Sequence, residues 1–156
     1  MRRFTLRPLL LVAAVLLSDY LAKEWVRASF PIGSLTPVAG ELLLIAPARN
    51  PWTALGLFAE HPDPVAIVTS ALVIALLIAL VARLVRRPLA VAGVALLTGG
   101  AVANLVDRLA HGGVLDFFDL GVGTLRIPTF NTADMAISVG FLLALLDAFR
   151  TRIDPD

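Results

Sequence analysis

The chain has 156 residues, of which 58% are hydrophobic and only 16% charged, whereas a soluble domain is typically about 45–50% apolar and about 25% charged. A formal net charge of +1 gives no basic field for nucleic acid, and with no cysteine there are no disulfides, thiolate metal sites or cysteine nucleophiles. The two histidines, His61 and His111, stand in no metal-ligand spacing, so no metal or other cofactor is expected; carboxylates alone are left as ligands for Mg²⁺ or Ca²⁺.

A membrane crossing takes about 20 mostly apolar residues to cover about 30 Å. Four stretches qualify, at about 6–26, 65–85, 89–109 and 131–149, within a single membrane domain over 1–156. The expected fold class is therefore an all-α membrane protein, a bundle of four transmembrane helices. Arg2, Arg3 and Arg7 before the first stretch imitate a signal peptide. No small-x-small cleavage site follows, however, and the run continues past Asp19 and Lys23, so a retained helix is expected. Between the first two spans, Glu41 to Ile45 reads as a short strand. The second span, from Val65 to Val85, contains no acidic residue. After the third, Val114–Phe118 and Thr124–Ile127 flank Gly121-Val122-Gly123, a hairpin signal.

Arg2, Arg3, Arg7, Arg83, Arg86, Arg87, Arg150 and Arg152 gather on one side, which the positive-inside rule assigns to the cytoplasm together with both termini. Nine of the twelve acidic residues fall toward the other side: Asp19, Glu24, Glu41, Glu60, Asp63, Asp107, Asp116, Asp119 and Asp134. Function is therefore expected at the outer face.

Ionisable groups inside spans cost roughly 2.5–3.5 kcal/mol each on insertion scales, so each asks for a reason. Asp19 and Lys23 share a helix face four residues apart, as an ion pair or as part of a site. Asn104, Asp107 and Arg108 follow one another near the outer end of the third span, just beyond Gly99 and Gly100. Asp107 reads as part of an interhelical cluster paired with an arginine, whereas Asn104 and Arg108 lean toward substrate contact. Asp116 is flanked by Val114, Leu115, Phe117 and Phe118, and Asp119 reads as a turn residue. Asn131 and Asp134 open the fourth span, where an N-cap and a third-position carboxylate serve the helix as well as they would serve a site. Ser18, Ser70 and Ser138 have no histidine or lysine at an activating helical spacing. What remains is a set of carboxylates at one membrane face. Two of them can hydrolyse a bond without metal or nucleophile, one taking a proton from water and the other giving one to the carbonyl oxygen.

Four segments together resemble the lipoprotein signal peptidase (signal peptidase II) family. They are Asp19-Tyr-Leu-Ala-Lys23; Asn50-Pro-Trp-Thr-Ala-Leu-Gly56; Gly99 to Arg108 running into Val114-Leu-Asp-Phe117; and Phe130-Asn-Thr-Ala-Asp-Met-Ala-Ile137. The second departs from the family pattern, with Trp52 where glycine is usual and Leu55 where phenylalanine is usual. The resemblance implies an aspartic endopeptidase with Asp116 and Asp134 as the catalytic pair. It implies contact or support from Asp19, Lys23, Asn50, Gly56, Asn104, Asp107, Arg108 and Asn131. It also implies a small β-sheet cradle outside the bundle and a diacylglyceryl-modified prolipoprotein substrate, cut before the lipid-bearing cysteine at the outer face of the bacterial inner membrane. Membrane lipid is the other expected partner, and a monomer the expected state. The competing readings are a small proton- or cation-coupled transporter using the same acids, which the lack of an internal repeat weakens, and a scaffold subunit with only structural polar contacts.

Overall fold

Each apolar stretch carries a helix whose ends are written locally. A computed structural model describes residues 6–50, 62–82 and 84–153. Its elements are α1 (Arg7–Ser29), β1 (Thr36–Ala39), β2 (Leu43–Asn50), α2 (Pro62–Val81), α3 (Pro88–His111), β3 (Val114–Val122), β4 (Leu125–Arg126) and α4 (Thr132–Ile153). Proline stands in the first turn of α1 and of α3, where its missing N–H costs nothing. Helix α3 stops at His111 because Gly112 takes the left-handed region at φ 69°. Helix α2 spans Pro62–Val81 rather than 65–85, and Arg87, the residue before Pro88, is extended. Helix α4 continues beyond 149 to Ile153.

Among the described residues, Pro88–His111 and Thr132–Arg150 are long and apolar enough to cross a membrane, and Ile67–Val81 forms a shorter apolar helix. Helix α1 carries Asp19, Lys23 and Glu24 in its second half. Large apolar side chains such as Leu10, Leu17, Leu72, Ile78, Phe141 and Phe149 face outward, in keeping with a protein whose solvent is lipid.

Helix α3 packs against α1, α2 and α4. Its glycines let the backbones approach, which is how helices pack when lipid removes the hydrophobic drive between them. A Cβ on Gly93 would lie 2.7 Å from the Gly140 carbonyl oxygen, and one on Gly99 would lie 2.8 Å from the Val15 Cβ. A Cβ on Gly100 would run into the Ala133 carbonyl.

The four strands form one antiparallel sheet in the order β1-β2-β3-β4. Val26, Ile45, Leu115 and Phe117 seat it against the end of α1. The strand expected at Glu41–Ile45 starts at Leu43 and runs to Asn50, with β1 as an unforeseen partner. The hairpin turns at Gly123 (φ 55°), not across Gly121. Strand β3 passes through Gly121, where β4 lies so close that a Cβ would meet Leu125 and Arg126. Asp119 is accordingly not a turn residue: it lies in β3 and takes the Nε–H of Arg126 at 2.6 Å. The residues beyond Asn50, including Trp52, Leu55 and Gly56, lie outside the described ones.

Gly100 is the tightest of these helix contacts and sits one helical step from the start of α4. Gly100→Ala should lower stability by about 1–3 kcal/mol through overpacking, seen as a lower thermal midpoint in detergent. An unchanged midpoint would mean that α3 and α4 are not in this register.

Candidate active site

The site grows from a buried ammonium. Lys23 is 2% exposed, so its charge must be matched inside the protein. Its Nζ lies 2.6 Å from Asp19 Oδ2 and 2.9 Å from Asp107 Oδ2, and donates a longer 3.5 Å bond to Asn104 Oδ1. Three donors meet three acceptors on two helices. Asp19 Oδ1 then accepts from the Thr132 hydroxyl at 2.6 Å and the Ala133 N–H at 2.9 Å. A carboxylate of α1 thus caps the N-terminus of α4 from outside that helix.

Asn131 caps the same helix from within. Its Oδ1 accepts from the Asp134 N–H at 3.0 Å, and its own N–H donates to Asp134 Oδ2 at 3.1 Å, a reciprocal capping box. Its Nδ2 is left to donate to Asp116 Oδ1 at 2.7 Å and to Asn104 Oδ1 at 3.2 Å. Asn104 Nδ2 donates to Asp134 Oδ1 at 2.8 Å, and Asn50 Nδ2, from the end of β2, donates to Asp116 Oδ2 at 2.8 Å. At Asn131 and Asp134 the capping bonds and the polar network therefore coincide. Asn104, which leaned toward substrate contact in the sequence, is buried and spends both ends of its amide inside the network.

Asp116 reaches this place from β3. The neighbouring peptides of Phe117 and Phe118 donate to the Phe130 carbonyl at 3.0 and 2.8 Å, and Phe130 N–H returns a bond to Phe118 at 3.0 Å. That bridge holds the residue before Asn131 against the residues after Asp116. Asp116 is 3% exposed. Burial raises its carboxyl to about 6, and the nearby Asp134 charge adds to the rise, although the amides of Asn50 and Asn131 and the charge of Lys23 oppose it. Asp134, in the first turn of α4, is partly exposed. Arg108 donates from Nη1 to the Asn104 carbonyl at 3.4 Å and lies within electrostatic reach of Asp134, Asp116 and Asp107.

Asp107 has a different setting. Oδ1 takes Arg27 Nη2 at 3.0 Å and lies 3.2 Å from His111 Nδ1; Oδ2 takes Lys23 at 2.9 Å and the Leu115 N–H at 3.2 Å. Arg27 also pairs with Glu24. Among the described residues no group of three His, Cys, Asp or Glu side chains converges as a metal site would need.

Nine of the ten site residues picked from sequence lie in this network or touch it; Gly56 lies outside the described residues. Sequence reasoning missed Arg27, Thr132, His111 as a partner of Asp107, and Arg49, whose Nη1 donates to the His111 and Gly113 carbonyls at 3.3 and 3.4 Å. Arg27 had a signal: it stands four residues after Lys23, on the same helix face. Thr132 had none beyond its place after a capping residue.

A model of the signal peptidase (SPase) II family matches residues 11–150. A lipoprotein signal peptidase of Serratia proteamaculans (strain 568) is 36% identical over 148 residues, covering 92% of this chain and 87% of its own. One from Moorella thermoacetica (strain ATCC 39073 / JCM 9320) is 38% identical over 135 residues, covering 86% and 87%. A solved bacterial membrane enzyme, determined by the in meso method, superposes with TM-score 0.88 at 25% identity, covering 98% of this chain and 93% of that one.

Asn131→Ser separates the cap from the amide bridge, because serine caps helices well but has no second donor. The variant should hold its thermal midpoint within about 5 °C. Its Asp116 carboxyl should titrate above the present value of about 6, since the Asn131 amide now opposes the rise. A carboxyl titration by NMR reads this directly, and an unmoved Asp116 would sink the bridging role.

Proposed function

This chain belongs to the signal peptidase II family, and from that premise we propose that it removes the signal peptide from prolipoproteins by aspartyl chemistry, with Asp116 and Asp134 as the pair. It is a peptidase and a membrane protein. One observation carries the aspartyl reading: two carboxylates in unlike settings both accept from Asn131, Asp116 from its side-chain amide and Asp134 from its backbone N–H, the first buried and raised to about 6, the second at the positive end of a helix. Environments that drive two acids apart are what assign an acid and a base.

Asp134 is the base. Its oxygens accept from the Asn104 amide and the Asn131 N–H at the N-terminus of α4, an arrangement made for negative charge. It takes a proton from water as the water oxygen adds to the scissile carbonyl carbon. Asp116, protonated, gives its proton to the carbonyl oxygen. On collapse the C–N bond breaks, the proton on Asp134 passes to the leaving amine, and Asp116 recovers its own from the hydroxyl. Arg108, which feels both acids, is suited to hold a peptide carbonyl beside them. Asp107 is set apart from this chemistry because Lys23, Arg27 and the Leu115 N–H already donate to its two oxygens.

The substrate is a diacylglyceryl-modified prolipoprotein, cut before the lipidated cysteine. The chain is one domain of four spans, including α1 and α2, with both termini cytoplasmic and the sheet forming a cradle on the outer side; it acts as a monomer in contact with lipid. The arginine bias and the outward apolar side chains support this arrangement. No observation favours the transporter.

Asp116→Asn and Asp134→Asn should each abolish cleavage of a lipidated propeptide while leaving the protein folded, and activity should persist in EDTA. Because Asp116 must be protonated to donate, kcat/KM should fall as pH rises through about 6. Near-normal kcat in either variant overturns the pair.

Lipid recognition is a separate claim. Each buried methylene contributes about 0.8 kcal/mol, so the acyl chains should dominate binding. The unmodified propeptide should show a much lower kcat/KM than the lipidated one; equal values refute the assignment of substrate.

A further inference from the structure

We propose that Asp107 is a positioning residue that holds Asp116 in place through the Leu115 N–H, and that it takes no part in proton transfer; this rests on the Asp116–Asp134 reading above. The chain leaves α3 at His111, turns through Gly112 and Gly113, and enters β3 at Val114. Two glycines at the root of a strand leave that strand poorly aimed unless something closes the turn. Asp107 closes it. From the last turn of α3 its Oδ2 reaches forward to the Leu115 N–H at 3.2 Å, one residue before Asp116. Arg49 grips the other side of the same turn at the His111 and Gly113 carbonyls.

The cations around Asp107 keep it an acceptor. Lys23 and Arg27 of α1 each meet one of its oxygens, so the carboxylate is buried without an unmatched charge, and His111 Nδ1 of α3 lies beside Oδ1. Lys23, Arg27 and the Leu115 N–H donate to its two oxygens and the His111 ring lies beside them, so its acceptor capacity is committed within the fold. Asp107 therefore acts on the reaction through Asp116, by where it puts the β3 backbone and by its charge beside Lys23, and a shift on the order of 1 Å in that backbone can cost about 100-fold in rate.

The groups facing Asp116 are Asn50 from β2, Asn131 and Asp134 from the start of α4, Arg108 from α3 and Lys23 from α1. Asp107→Asn removes a negative charge from this neighbourhood and leaves Lys23 with Asp19 as its one carboxylate. Both changes favour ionised Asp116, so the alkaline limb of the pH–rate profile should move to lower pH. An asparagine must also turn its NH₂ toward donors on one side or the other.

The test is steady-state kinetics of Asp107→Asn against a lipidated propeptide across pH, with Asp134→Asn as the inactive reference and circular dichroism and melting as folding controls. The expected result is a kcat about tenfold or more below the parent but above that reference, KM within about threefold, and an alkaline limb lower by about half a unit or more. If the single variant fails to fold, the charge-balanced Asp107→Asn/Arg27→Gln variant is read the same way. Three outcomes overturn the proposal: parental kcat and limb; a lower kcat with an unmoved limb, which is a structural role; or activity as low as Asp134→Asn at every pH, which puts Asp107 in the chemistry. Near-normal kcat in Asp116→Asn would instead overturn the reading of the pair, whatever Asp107 does.

Discussion

A cation out of reach of water has to be neutralised where it sits, and in this protein that requirement falls on Lys23. Its partners, Asp19 on its own helix and Asp107 and Asn104 on α3, cannot be satisfied unless α1 and α3 meet at one height. Asp19 has an oxygen left over, and α4 has N–H groups left over at its N-terminus. Joining them brings in the third helix. Buried ion pairs of this kind are poor sources of net stability, because desolvation consumes much of the Coulomb gain, but losing one partner costs about 3–5 kcal/mol. Their contribution here is to make one register of three helices far better than its neighbours.

Packing supplies the other half of that register. Gly93 and Gly140 bring the backbones of α3 and α4 together at one end, and Gly100 meets Ala133 at the other. In lipid such close approach does work that hydrophobic burial does in water. Gly100 and Asn104 lie on adjacent turns of α3, so the same contact that sets the helix distance sets how far Asn104 must reach to Asp134. The polar network and the small-residue contact therefore constrain one separation from two sides.

The sheet completes the geometry from outside the bundle. Ile45, Leu115 and Phe117 bury against Val26, and the Phe118–Phe130 bridge ties β3 to the segment that opens α4. Three amides then converge on two carboxylates from a strand and two helix ends: Asn50 from β2, Asn104 from α3 and Asn131 from the start of α4. An amide can donate to a carboxylate without adding charge, and this leaves Asp116 free to respond to burial and to Asp134. Had the same positions been lysines, both acids would be held ionised and no proton would be available to give.

The four apolar stretches and the gathering of acids toward one end follow from residue type and local spacing, so they were legible in the sequence. The Asp19–Lys23 pairing was legible for the same reason, being one helical turn long. The likeness of four motifs to a known family supplied Asp116 and Asp134, and composition alone would have left both open. Which carboxylate stands in which company was decided only by the tertiary structure. Asp107 and Asp116 lie nine positions apart, and although an arginine partner was expected for Asp107, nothing local says that it meets Lys23 and Arg27 of α1 while Asp116 meets the amides of Asn50 and Asn131. Asp119 looked like a turn residue because Gly121 follows it, yet the strand continues since β4 crowds that glycine. Thr132 joined Asp19 across 113 positions of chain. Contacts of that range depend on how helices pack, and packing is a property of the whole bundle that no local window of sequence contains.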